Sequence, residues 1–111
     1  MVAPVVSAGR GRLVWAEYRD DANGWDLAAP PRNGAVEELA HAIGGEEVTI
    51  VVGELTPEQE RIVAGGAGVI MIERPLRTRR PAAVAALGWS RWIAGEADDP
   101  ITLEPVYFGR N

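Results

Sequence analysis

The chain contains no cysteine among its 111 residues. That absence excludes disulfide staples, thiolate metal sites and thiol nucleophiles together. Histidine occurs once, at His41, so an imidazole-based zinc site has no second ligand of its kind. No apolar stretch approaches the roughly 18 residues a membrane span requires. The opening Met1-Val2-Ala3-Pro4-Val5-Val6-Ser7 lacks both the basic flank and the long apolar run of a signal peptide. A cytoplasmic location is therefore expected. Positive charge is also short: 11 basic against 16 acidic residues leave a formal net charge of -5. Affinity for a phosphate backbone usually rests on a basic footprint, so direct nucleic-acid binding is not expected.

What is present is ordinary for a globular chain. The hydrophobic share is 47% and the charged share 24%, which argues against wholesale disorder. The length suits one domain over residues 1–111 with one core. Val2 to Val6 is a short β-branched run that ends at the glycine turn Ser7-Ala8-Gly9-Arg10-Gly11. Arg12 to Arg19 reads as a second strand. Asp20-Asp21-Ala22-Asn23-Gly24 is a turn whose Asn-Gly pair suits positive φ. Trp25 to Ala29 reads as a third strand, stopped by Pro30-Pro31. The three form an antiparallel meander.

The period then changes. Asn33 is placed to cap a helix that begins near Gly34, with Val36, Leu39, Ala40 and Ile43 as its apolar stripe. Gly44-Gly45 ends it. Val48 to Val52 is the strongest strand, a run of the kind buried on both faces. Thr56-Pro57-Glu58-Gln59 has the composition of a helix start, and that helix ends at Gly65-Gly66. Val69 to Ile72 reads as another buried strand. A helix from about Pro81 to Ala94 follows, and then a tail over residues 98–111. The order β-β-β-α-β-α-β-α, with a mixed five-stranded sheet, is the α/β layout of the ribonuclease H-like fold. That subdomain is doubled in actin-like ATPases. Fold alone does not assign function.

Chemistry has to be sought in sites. Two-metal phosphodiester cleavage needs several carboxylates converging on a pair of cations. The first strand offers none, and only Glu54, just past the fourth strand, is suitably placed, so a nuclease is rejected. Gly65-Gly66-Ala67-Gly68 follows a helix and precedes a strand, which is the wrong side for cradling phosphate; a helix cap and loop is the favoured reading. Val52-Gly53-Glu54 is better positioned but supplies one glycine and no lysine. His41 reads as solvated or packed. Ser7 and Ser90 have no histidine nearby in sequence. Arg74, Arg77, Arg79 and Arg80 form a cluster suited to an anion, although a solvated segment or protein contact is favoured. Arg10 and Arg12 carry the same ambiguity. No catalytic, cofactor-binding or metal-binding residue is assigned, and no cofactor is expected.

The aromatic residues point elsewhere. There are four tryptophans, and Trp89 and Trp92 lie on the last helix. Its apolar residues run nearly all the way round, more than one face can bury. Large apolar patches on small domains usually mark interfaces. Strand two carries the same signal, with Leu13 and Trp15 to one side and Val14, Ala16 and Tyr18 to the other. Trp15, Trp89 and Trp92 are the candidate partner surface.

Three segments, in this order, carry a resemblance. Ser7 to Tyr18 resembles the strand-turn-strand that opens the C-terminal half of TsaB (YeaZ) proteins. Val51-Val52-Gly53-Glu54 is similar to the Val-Val-Gly-Asp segment of that half. The ending, Gly95 to Arg110 with Glu104-Pro105-Val106-Tyr107, resembles the family's closing Glu-Pro-x-Tyr-Leu-Arg stretch. The resemblance spans nearly the whole chain and matches only the family's C-terminal subdomain.

The resemblance implies a degenerate, non-catalytic relative of actin-like ATPases, a group once placed with M22 glycoproteases. It implies TsaD-like and TsaE-like partners and a supporting role in forming threonylcarbamoyladenosine in tRNA. Two departures matter. The family's N-terminal subdomain has no counterpart in these residues, and Ser7 stands where family members often carry an acid. The competing readings are a nucleotide-binding actin-like enzyme domain and a free-standing dimerisation module.

Overall fold

A computed structural model describes residues 1–108, and the chain divides into two compact units, Met1–Thr78 and residues 79–111. The first unit holds a five-stranded mixed sheet of order β3-β2-β1-β4-β5. Its strands are β1 (Val2–Ser7), β2 (Leu13–Asp21), β3 (Gly24–Gly34), β4 (Thr49–Gly53) and β5 (Val69–Met71). β1 pairs antiparallel with β2 and parallel with β4. β2 with β3 is antiparallel and β4 with β5 is parallel. The meander and the two β-α units expected from the sequence are thus all present.

The helices of this unit are α1 (Val36–Ala42), α2 (Pro57–Ala64) and the short α3 (Arg74–Arg77). Ala3 and Val5 of β1, Leu13 and Trp15 of β2, and Val51 of β4 form one buried cluster with Val36, Leu39 and Ile43 around α1 and Val63 of α2. Alternate residues of a strand face the same side, so α1 and α2 cover one face of the sheet. Along β4 the burial alternates rather than running unbroken: Thr49 and Val51 are buried, while Ile50 and Val52 are half-buried.

Several local expectations are corrected. β3 does not stop at Pro30-Pro31 but runs through to Gly34. It is an edge strand, where a missing N–H leaves no partner unsatisfied. The pairing steps from Glu17↔Ala29 to Trp15↔Arg32, so the prolines sit in a bulge. The β2–β3 turn needs positive φ only at Gly24, and Asn23 instead donates its backbone N–H to Asp21 Oδ1 at 2.7 Å. Asn33 does not cap α1. It lies in β3, where its Oδ1 accepts from Arg12 Nε at 3.1 Å, and Ala35 takes the N-cap position with Glu38 accepting the Ala35 N–H.

β5 is half-buried rather than buried because it forms the other edge, and Ile70 is exposed. α3 escapes sequence analysis, since a four-residue helix is too short to show a period.

α2 matches its expected start closely. Thr56 Oγ accepts from Gln59 N at 3.2 Å while Gln59 Oε1 accepts from Thr56 N at 2.9 Å, a reciprocal capping box with Pro57 at the first helical position. The glycine segment after α2 is structural. Gly45 N donates to the Ala67 carbonyl and Thr49 N to the Gly68 carbonyl, each at 2.8 Å. A Cβ on Gly44 would meet the Ala67 carbonyl oxygen, so the two glycine turns pack backbone to backbone.

The second unit contains α4 (Pro81–Ile93), close to its expected span, with Ala94 as C-cap and Gly95 at φ 78° after it. The other described residues of this unit form turns and irregular chain, among them a turn in which Asp99 Oδ1 accepts from Ile101 N at 2.9 Å. The expected tail reaches past this description: Gly109, Arg110 and Asn111 lie outside the described residues. No helix among the described residues is long and apolar enough to cross a membrane.

Candidate functional site

Two features stand out, one in each unit. The first is α4. Not one of its 13 residues is buried, although Val84, Leu87, Trp89, Trp92 and Ile93 lie along it. Trp89 is 64% and Trp92 66% exposed. Long apolar side chains all round a helix, with none withdrawn from water, form an uncovered patch of the kind that marks a binding surface.

Trp15 does not belong with them. It is only 4% exposed and sits in the core cluster beneath α1, with the Arg32 guanidinium 5.3 Å from its ring centroid. The expected partner surface therefore loses Trp15. Its alternation on β2 was legible in the sequence, but which face the helices would cover was not. Trp25 is exposed on the edge strand β3, where sequence analysis assigned it no role.

The second feature is a cleft of about 530 Å³ in the first unit. It lies at the carboxyl ends of the parallel neighbours β1 and β4, and Ser7, Gly11, Gly53, Thr56, Arg74 and Arg77 are among its lining residues. Glu54 adds a carboxylate to the wall. Residues weighed separately in the sequence are here brought together: the first-strand serine, the Gly53-Glu54 turn and part of the arginine cluster. Gly53 has φ 106°, and a Cβ there would strike the Val5 carbonyl oxygen. Its glycine is required by the approach of two strands rather than by a ligand.

Arg74, Arg79 and Arg80 are exposed as a solvated segment would be, but Arg77 is buried. Arg74 and Arg77 both reach Glu60 on α2: Arg74 through Nε at 3.1 Å and Nη2 at 3.2 Å, and Arg77 through Nη2. The Arg77 side chain is 6% exposed, that of Glu60 21% and that of Arg74 62%. α3 places Arg74 and Arg77 three residues apart on one helical face, which lets both meet one carboxylate.

Hydrogen bonds from Arg74 and then Arg77 hold the Glu60 carboxyl below the usual carboxylate range. A carboxyl lowered in the folded state adds stability that is complete above its unfolded value of about 4.3 and is lost as pH falls through the folded value. Glu60→Gln should therefore lower the urea midpoint at pH 7. It should also flatten the decline that the parent chain shows below about pH 4.3. Denaturation curves at pH 7 and in acid check both.

The remaining candidates are structural or solvated. His41 is exposed on α1. Ser90 Oγ donates to the Ala86 carbonyl at 3.1 Å within α4. Arg12 clasps Asn33, which ties β2 to the end of β3. Among the described residues no three side chains of the metal-ligating kind come together. No protein-family model matches the chain, and no curated protein matches it.

Proposed function

We propose that the chain is a partner-binding module without a reaction centre of its own, and that α4 presents its binding surface. The observation that carries this reading is the complete exposure of an apolar helix bearing Trp89 and Trp92. Tryptophan anchors are enriched where a few residues dominate the affinity of an interface. The sheet order, with β2 antiparallel and β4 and β5 parallel around a central β1, supports the ribonuclease H-like assignment. Together with the TsaB-like segments, it supports a role beside TsaD-like and TsaE-like proteins in the formation of threonylcarbamoyladenosine on tRNA.

The test is retention of purified TsaD-like and TsaE-like proteins by the full chain. Trp89→Ala and Trp92→Ala are each expected to weaken retention by about thirtyfold, the cost of losing an anchor worth about 2 kcal/mol. Because both side chains are exposed, the same changes should shift the unfolding free energy by no more than about 0.5 kcal/mol. No retention of either protein, or retention indifferent to both tryptophans, removes this reading. Self-association without either protein, abolished by the same substitutions, would assign α4 to dimerisation instead.

A further inference from the structure

Arg77 is the only charged residue among the described residues to be buried. A guanidinium keeps its charge at any physiological pH, so its burial has to be answered by partners. Glu60 answers only Nη2. Nε and Nη1 are sealed from solvent and have no hydrogen-bond partner among the described residues. Buried donors are rarely left in that condition in folded proteins. Arg77 is also one of the residues that line the cleft, so its side chain lies between these covered donors and a space that a ligand can enter.

We infer that this cleft binds a small organic carboxylate, and that the Arg77 side chain turns toward it so that its oxygens take the donors that Glu60 leaves unused. Its position fits, because ligands of open α/β sheets gather beyond the carboxyl ends of the strands. Its volume of about 530 Å³ falls within the range of small-molecule sites. Ser7, Thr56 and Thr78 are among the lining residues, and Thr56 and Pro57 bring the start of the eight-residue helix α2, whose dipole favours negative charge.

Charge decides between anions. Arg74 and Arg77 both pair with Glu60, and Glu54 also lines the cleft, so the wall is not a purely cationic one. A dianionic phosphate would enter with charge the site does not match, whereas a monoanion adds the least. The planar guanidinium also suits a planar carboxylate. The chain has no lysine, so every side chain it can offer as a fixed cation is of this planar kind. None of the α4 residues takes part, so this inference stands apart from the partner reading.

The experiment is a titration of the full-length, ¹⁵N-labelled chain with sodium acetate, against sodium chloride at equal ionic strength and then sodium phosphate. Acetate should move the Arg77 Nε–H resonance and the backbone amides of Ser7, Gly53 and Thr56 saturably. Arg77→Lys retains a cation toward Glu60 but loses the fork, and should bind acetate about tenfold or more weakly. Arg74→Gln, at an exposed site, should weaken binding less. Chloride reproducing the shifts, a stationary Arg77 Nε–H resonance, or phosphate binding more tightly than acetate would each overturn the assignment. Should Arg77→Lys lose its fold, the wild-type Arg77 resonance and Arg74→Gln still decide the matter.

Discussion

Leu39→Ala is expected to remove about 2–5 kcal/mol from the unfolding free energy of the first unit. Leu39 is fully buried on α1, among Ala3, Val5, Leu13 and Trp15 of the sheet and Val63 of α2. Truncation deletes apolar contacts and leaves a cavity that the sheet and helix cannot close without moving other core side chains. Small domains hold only about 5–15 kcal/mol in all, so this one change takes a large share. Leu87→Ala makes the same chemical change on α4, where the side chain is 68% exposed. It should cost no more than about 0.5 kcal/mol. Urea denaturation followed by far-ultraviolet circular dichroism separates the two. A loss below about 1 kcal/mol at Leu39 would contradict the packing described for α1.

Gly53→Ala should be comparably damaging, by a different mechanism. At φ 106° a side chain is strained whatever room surrounds it, and here there is none: the added Cβ meets the backbone of Val5. The conformational cost is about 1–2 kcal/mol, and forcing packed backbone apart adds about 1–3 kcal/mol more. Val5 and Gly53 are register partners in the parallel pairing of β1 with β4, so relief would have to come from the centre of the sheet. Gly9→Ala provides the contrast. Gly9 has φ 80° with no atom within 4 Å of its added Cβ, so it should show the conformational cost alone. Equal losses at both positions would show that the Val5 contact is relieved cheaply. Because Gly53 also lines the cleft, its substitution should disturb the Ser7 and Thr56 amide resonances.

Legibility in the sequence followed the range of the interactions involved. The α2 start was readable because a capping box involves residues three positions apart, and Thr56 and Gln59 form it as their spacing required. The span of α4 was readable from Pro81 at its start and the glycine after its end. The failures at Pro30-Pro31 and Asn33 have one cause: each residue's local preference was outweighed by its place at a sheet edge. A proline stops a central strand and is tolerated in an edge strand, and a sequence does not announce which strand is the edge. Likewise the arginine cluster was visible, but its meeting with Glu60 was not. Arg77 and Glu60 stand 17 residues apart, and no short-range pattern connects them.

By itself the sequence determined the order of the five strands and of every helix but α3, the lack of any thiol, and the apolar character of the last helix. All of these rest on residue type and on spacings within a few positions. Only the tertiary structure decided which tryptophan is core and which is surface, and that Arg77 is buried with donors to spare beside a cleft. Burial is a property of the assembled chain, because it depends on which distant segments exclude water from a given side chain. Trp15 and Trp89 are the same residue type in similarly apolar surroundings along the chain, yet α1 covers the sheet over one while the other stays 64% exposed.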